Sequence, residues 1–164
     1  MNTNVRLATD SDWQQILTIY KSYWDKYFEN MTDEYRKILK YFKESFDKRN
    51  GYFNYWVYDN GEGEIYGWFS CLQVFNSPLR RDYTGEISVF IRQDKKYGII
   101  AARILAKTIE DVSNTELTCL LANIVTKNIA SQKLAKHFGF IKSDFTFINT
   151  PFYPEVNLWV KPLK

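Results

Sequence analysis

The sequence predicts a single α/β (α+β) domain over residues 1–164, built on a mixed sheet of about seven strands flanked by about four helices. Three observations predict it. Apolar residues recur either at helical intervals or in β-rich runs, in the order β-α-α-β-β-β-α-β-α-β-β. The 164 residues are the size of one domain and can bury a core without staples. No repeat, low-complexity tract or linker divides them.

Each element has a local cause. "NVRLA" (4–8) is a short strand candidate, and Thr9 to Asp12 have the capping-box spacing, a hydroxyl at the cap and a carboxylate three residues on. Trp13, Ile16, Leu17, Tyr20, Trp24, Tyr27 and Phe28 then form one apolar stripe, which predicts a helix over 10–28. Thr32 and Asp33 open a second helix to about Lys48 with Ile38, Leu39, Phe42 and Phe46, and Asn50-Gly51 ends it. β-rich runs at 52–58 and 65–74 flank the Asp, Asn and Gly residues of 59–64, a hairpin signature. A polar loop with a proline, 75–83, leads to "GEISVFI" (85–91). Its alternation puts Glu86, Ser88 and Phe90 on one face and Ile87, Val89 and Ile91 on the other. A helix over 97–112 carries Ile100, Ile104, Leu105 and Ile109, and a buried-looking strand follows at 117–125. A short helix over 128–138 is stopped by Gly139, and strands at 140–148 and 155–163 finish the chain.

Composition narrows the function classes. The 22 basic and 19 acidic residues leave a net charge of +3, too balanced for the concentrated basic stripe that nucleic acid asks for. No apolar run approaches the ~18 residues that span a bilayer, and "MNTNVRLATDSD" has no apolar signal core. The expectation is a cytoplasmic protein with neither a membrane nor a nucleic-acid partner. Cys71 and Cys119 lie in apolar, strand-like stretches and read as small core residues in a reducing compartment. His137 is the only histidine, so a His-built zinc site or a Ser-His-Asp triad has almost nothing to be built from. No metal is expected. Aromatic residues make up 18% of the chain, enough to pack a core and also to line an amphipathic pocket.

"IRQDKKYGIIAARIL" (91–105) joins a strand to a helix, with Lys95 and Lys96 ahead of Gly98 and with Ala101 and Ala102 after it. A helix N-terminus offers roughly +0.5 charge and several free N–H groups, a suitable seat for phosphate. The segment has one glycine, where close approach of backbone to phosphate favours several. It reads as an anion-binding turn or as a basic strand-to-helix connection.

Four stretches, in this order, resemble the GNAT superfamily of acetyl-CoA-dependent N-acyltransferases, and more narrowly its phosphinothricin-acetyltransferase-like branch. They are "VRLATDSDWQQILTIYKSY", "YGWFSCLQVFNSPLRRDYTGEISVFI", "RQDKKYGIIAARIL" and "NIASQKLAKHFGF". The resemblance implies a GNAT-like, mostly antiparallel sheet and acetyl-CoA as cofactor. It implies acetyl transfer to the primary amine of a small molecule, an amino acid or analogue, by direct attack in a ternary complex. Glu86 falls at the family's catalytic base, a carboxylate that takes the proton of an ammonium whose ordinary pKa is ~10.4. Its bland alternative is a solvated glutamate at a strand edge.

Acetyl-CoA is implied along Ser88, Val89, Phe90 and Ile91, whose backbone N–H groups would polarise the thioester. Its diphosphate is implied along Lys96, Tyr97, Gly98, Ile99, Ile100 and Ala101. Asn128 and Ser131 match a cofactor-contacting pair, and Asn128 serves equally as a helix cap. Ile99 stands where the family's loop has its central glycine, and Ala135 where many members have a tyrosine as general acid. Those departures keep open a GNAT-fold protein that binds a ligand or partner without turnover; a protein-lysine acetyltransferase is a third class. The acceptor is expected at Tyr20 and Trp24, which otherwise pack the core, and at Phe75, Asn76, Arg80, Arg81 and Tyr83. An arginine in that loop would clamp a substrate carboxylate or else face solvent. Family members often dimerise, which leaves a homodimer open, although the sequence carries no interface signature of its own.

Overall fold

The elements follow one another in the expected order, in a computed structural model that describes residues 4–28, 32–74, 82–147 and 155–164. They are β1 (Val5–Leu7), α1 (Trp13–Phe28), α2 (Thr32–Asp47), β2 (Asn54–Asp59), β3 (Ile65–Gln73) and β4 (Thr84–Ile91). Then come α3 (Tyr97–Ser113), β5 (Cys119–Val125), α4 (Ile129–His137), β6 (Ile141–Phe147) and β7 (Val156–Pro162).

The entry to α1 differs from the sequence expectation in detail. Residues Asp10–Asp12 form a 3-10 turn, and the α-helix proper begins at Trp13. The reason is the Asp12 carboxylate, which turns back to accept the Thr9 N–H at 2.7 Å and a two-pronged Arg6 guanidinium at 2.7 and 2.9 Å. Arg6 also donates to Asp59 at 2.7 Å, so one side chain ties β1, the helix entry and the end of β2. β2 starts two residues later than its β-rich run suggested, because Phe53 and Asn50 exchange backbone hydrogen bonds around the turn at Gly51.

The sheet runs β1-β2-β3-β4-β5-β7-β6, and every neighbouring pair is antiparallel except β4–β5. Strand alternation divides the core in two. Tyr55, Val57, Ile65 and Trp68 pack with Ile16, Ile19, Phe42 and Phe46 of α1 and α2. On the opposite face Trp56, Phe69, Cys71 and Ile91 pack with Ile100, Ile104, Leu105 and Val112 of α3, and Ala135 of α4 joins them. Full burial of one such large side chain stabilises by about 1.5–3 kcal/mol, and both indoles are satisfied. Trp68 donates to the Ile16 carbonyl at 3.1 Å, and Trp56 to Asp111 at 2.9 Å.

Gly85 and Gly139 are among the glycines required by geometry. At Gly85 a Cβ would lie 2.3 Å from the Cys71 sulfur and 3.2 Å from Leu120, so the residue before Glu86 must be bare. Gly139 has φ +77°, the left-handed stop expected after α4. Neither Cys71 nor Cys119 is in a disulfide, and burial pushes the Cys71 thiol up to about 12. Among the described residues no helix is long and apolar enough to cross a membrane.

Candidate active site

β4 and β5 are paired only over their first halves. Thr84–Ile87 match Cys119–Ala122, after which β4 continues to Ile91 along β3 and β5 continues to Val125 along β7. Each strand follows the twist of its own antiparallel partner, so the parallel pair parts. Beyond Ile87 and Ala122 a gap opens in the middle of the sheet. The Arg92 N–H donates to the Tyr66 carbonyl at 2.9 Å. Alternation from there turns the amides of Ile91 and Val89 away from β3 and toward the gap. Ser88 and Phe90 instead offer that gap their side chains, on the α1/α2 face. The Ile91 carbonyl accepts the Tyr23 hydroxyl at 2.6 Å.

Glu86 stands at the closed end of the gap. It is half-buried, and Asn123 of β5 donates to its Oε1 at 2.9 Å. Tyr41 of α2 lies close by, its phenol raised by burial and then by the Glu86 charge. Asn123 is a functional candidate that the sequence reading missed. The signal for it was a lone amide within the apolar run "LTCLLANIV".

The α3 entry is an open bend. Lys96 caps the helix without a side-chain bond, and Ile100 is the first residue to return its N–H, to the Lys96 carbonyl at 3.4 Å. The amides of Tyr97, Gly98 and Ile99 therefore precede the first intrahelical bond. Ile100 and Ala101 are buried in the α3 core, and the Ile100 amide is already returned to Lys96. The Ile99 side chain is 54% exposed, and a Cβ built on Gly98 meets nothing within 4 Å. Lys95 lies over the Tyr66 ring at 4.1 Å and 3.5 Å from Asp94, whereas the Lys96 residue is exposed.

At α4, Asn128 acts as the N-cap: its Oδ1 accepts the Ser131 N–H at 3.0 Å. The Ser131 and Tyr97 hydroxyls are hydrogen-bonded at 2.8 Å, which bridges α4 to α3. Burial raises the Tyr97 phenol, and its bond to Ser131 works the other way. Ala135 is buried on the same wall, and His137 is exposed at the end of α4.

These groups border one cavity of about 870 Å3 whose lining comes from both faces of the sheet. Tyr97, Asn128, Ser131 and Ala135 line it on the α3/α4 side. Tyr20, Trp24, Trp68 and Phe90 line it on the α1/α2 side, so the two rings of α1 both pack and face the cavity. Tyr83 is not brought there: it is 49% exposed and borders a separate cavity of about 470 Å3 with Thr118, Cys119 and Val160. Phe75, Asn76, Arg80 and Arg81 lie outside the described residues.

A family profile described as an acetyltransferase (GNAT) domain matches residues 5–146. No curated protein is matched by the sequence. Among solved structures, the chain is similar to a GNAT superfamily phosphinothricin acetyltransferase from Sinorhizobium meliloti in complex with acetyl-CoA. That likeness has 16% identity and a TM-score of 0.76 over 99% of this chain and 89% of the other. It is similar to an N-acetyltransferase from Staphylococcus aureus Mu50 at 21% identity and a TM-score of 0.74, with 98% of each chain covered. A ribosomal-protein-alanine N-acetyltransferase from Brucella melitensis is similar at 20% identity and 0.71, over 96% of this chain and 98% of that one. At these identities the likeness is one of fold. The family profile itself runs from β1 into β6, and so takes in the parted strands and both helix N-termini; the chain belongs to the GNAT family of acetyltransferases.

Proposed function

We propose that the protein is an acetyl-CoA-dependent N-acetyltransferase that acetylates the primary amine of a small molecule by direct attack in a ternary complex. The observation that carries this reading is the gap beyond Ile87 and Ala122, open to both faces of the sheet, with Glu86 held at its closed end.

The residues present suit the donor. The amides of Tyr97, Gly98 and Ile99 offer a diphosphate the positive end of α3, with nothing standing over Gly98. The exposed Lys96 adds a charge beside them. The hydroxyls of Tyr97 and Ser131 offer hydrogen bonds to an amide-bearing arm along the α3/α4 wall. Bound there, acetyl-CoA supplies the acetyl group as a thioester.

The chain's own residues then have three tasks. Glu86 accepts the proton of the acceptor ammonium, directly or through one water. Asn123 occupies Oε1 and so presents the other carboxylate oxygen to that proton. The Val89 N–H donates to the thioester oxygen as negative charge builds on it, an interaction worth about 10²–10³-fold in rate. A thiol has an ordinary pKa of only ~8.5, so its thiolate departs without a strong acid, which suits a wall that carries Ala135.

The test is a panel of amines given acetyl-CoA, read both as coenzyme A released and as acetylated product by mass. Amino acids and their analogues belong in it, being the class that the family branch implies. Glu86→Gln should lose about 10²–10⁴-fold in kcat/KM beside the native chain. Equal rates would remove Glu86 from its role, and no product from any amine would overturn the reading itself.

A further inference from the structure

The cavity continues beneath the closed end of the gap. Ile87 and Ala122 are register partners in the parallel pair, so both side chains leave the sheet on the α3/α4 face, opposite Glu86. Leu105 of α3, Ala135 of α4 and Phe140 just after it belong to the same cluster. The Phe140 N–H donates to the Ala135 carbonyl at 3.0 Å, which holds those two residues together. Leu105, Ala122, Ala135 and Phe140 are each no more than 7% exposed, yet all four border the cavity with Ile87. This part of the cavity is therefore an enclosed recess, and these five side chains are hydrocarbon throughout. Two of the five are alanines, which leaves the recess open where a larger side chain would fill it.

We infer that the donor site accepts acyl groups longer than acetyl, namely straight chains of three and four carbons. This rests on the acetyltransferase reading and deepens it. A thioester carbonyl is planar, and its carbon carries three groups. With the oxygen on the Val89 N–H and the sulfur reached from the N-termini of α3 and α4, the acyl carbon is left to point toward the closed end. There Ile87 and Ala122 lie beneath it. A methyl group stops short of the recess, whereas a propyl tail continues into it and meets Leu105, Ala135 and Phe140. These side chains suit a hydrocarbon tail and offer a polar group no hydrogen bond. The transfer is otherwise that of the acetyl group. The amine nitrogen bonds the acyl carbon, the carbon–sulfur bond breaks, the ammonium proton goes to Glu86 and coenzyme A leaves as its thiolate.

Isothermal titration of the full native chain with acetyl-, propionyl- and butyryl-CoA reads the donor site without an acceptor amine. The dissociation constant is expected to fall about three- to fourfold with each added methylene, as burial of a CH2 predicts. Ala135→Leu fills the recess and should bring the constants for butyryl- and acetyl-CoA back together. Ala122→Val is the milder change and should narrow their ratio about twofold. The native titration decides even where a variant does not fold. Acetyl-CoA bound as tightly as the longer donors, or more tightly, overturns this inference and leaves the acetyltransferase reading standing. A preference for butyryl-CoA that survives undiminished in folded Ala135→Leu does the same, because the added carbons then lie elsewhere. No binding of any of the three ends both.

Discussion

Glu86 and Asn123 meet across two strands just before those strands diverge, so a single hydrogen bond at 2.9 Å orients the carboxylate on which the proposed chemistry turns. Asn123→Ala removes that donor from an exposed position. We expect about a tenfold loss in kcat/KM, with stability changed by no more than about 0.5 kcal/mol in urea unfolding. A larger loss of stability than of rate would make Asn123 a structural residue. Ile99 makes the opposite case. Its side chain stands in solvent, so Ile99→Gly should leave the KM for acetyl-CoA within about threefold while costing the helix about 0.5–1 kcal/mol. A tenfold gain in affinity would show that the β-branched side chain obstructs the bend. Strand alternation put Glu86 on one face with Ser88 and Phe90, and the family resemblance singled it out as the proposed base. Asn123 was not legible, because its partner lies 37 residues away and the two meet only through the register of a parallel pair.

Caps and apolar stripes made the helices readable, and Asn128, Gly139 and the Thr9–Asp12 box act where their residue types indicated. What the pattern could not supply was the reach of Arg6, which binds Asp12 and Asp59 from β1 and shortens the start of α1 into a 3-10 turn. Burial works to raise the Asp12 carboxyl, yet the bonds from Arg6 and Thr9 hold it below the ordinary carboxylate range. A depressed folded value contributes stability that is fully present above the unfolded value of ~3.9 and is lost as pH falls through the lower, folded one. Asp12→Asn should therefore be less stable than the native chain at pH 7, and the difference should shrink as the pH is lowered below about 4. Urea unfolding at pH 7 and pH 3 checks this. A difference independent of pH would mean that the side chain's shape and not its charge ties the element. Arg6→Ala should cost about 1–3 kcal/mol at neutral pH by the same measurement.

At the scale of the whole molecule, period and length predict that strands exist and which face they bury, but not which strands are neighbours. That is why the order β5-β7-β6, with the last strand inserted between two earlier ones, could not be read from spacing. The mostly antiparallel sheet came from the family resemblance, and the strand pairings bear it out. The same global arrangement creates the gap: among the described strands only the β4–β5 pair is parallel, and there two strands owe their course to different partners. The cavity lined from both faces of the sheet, with the proposed acceptor side on one face and the proposed donor wall on the other, follows from that break.

The most direct measurement is thermal unfolding of the native chain with and without acetyl-CoA. If Tyr97, Gly98 and Ile99 can seat a diphosphate without a run of glycines, cofactor at ~100 times its dissociation constant adds about 2.7 kcal/mol and raises the midpoint by roughly 5–10 °C. An unchanged midpoint at millimolar acetyl-CoA would contradict the account.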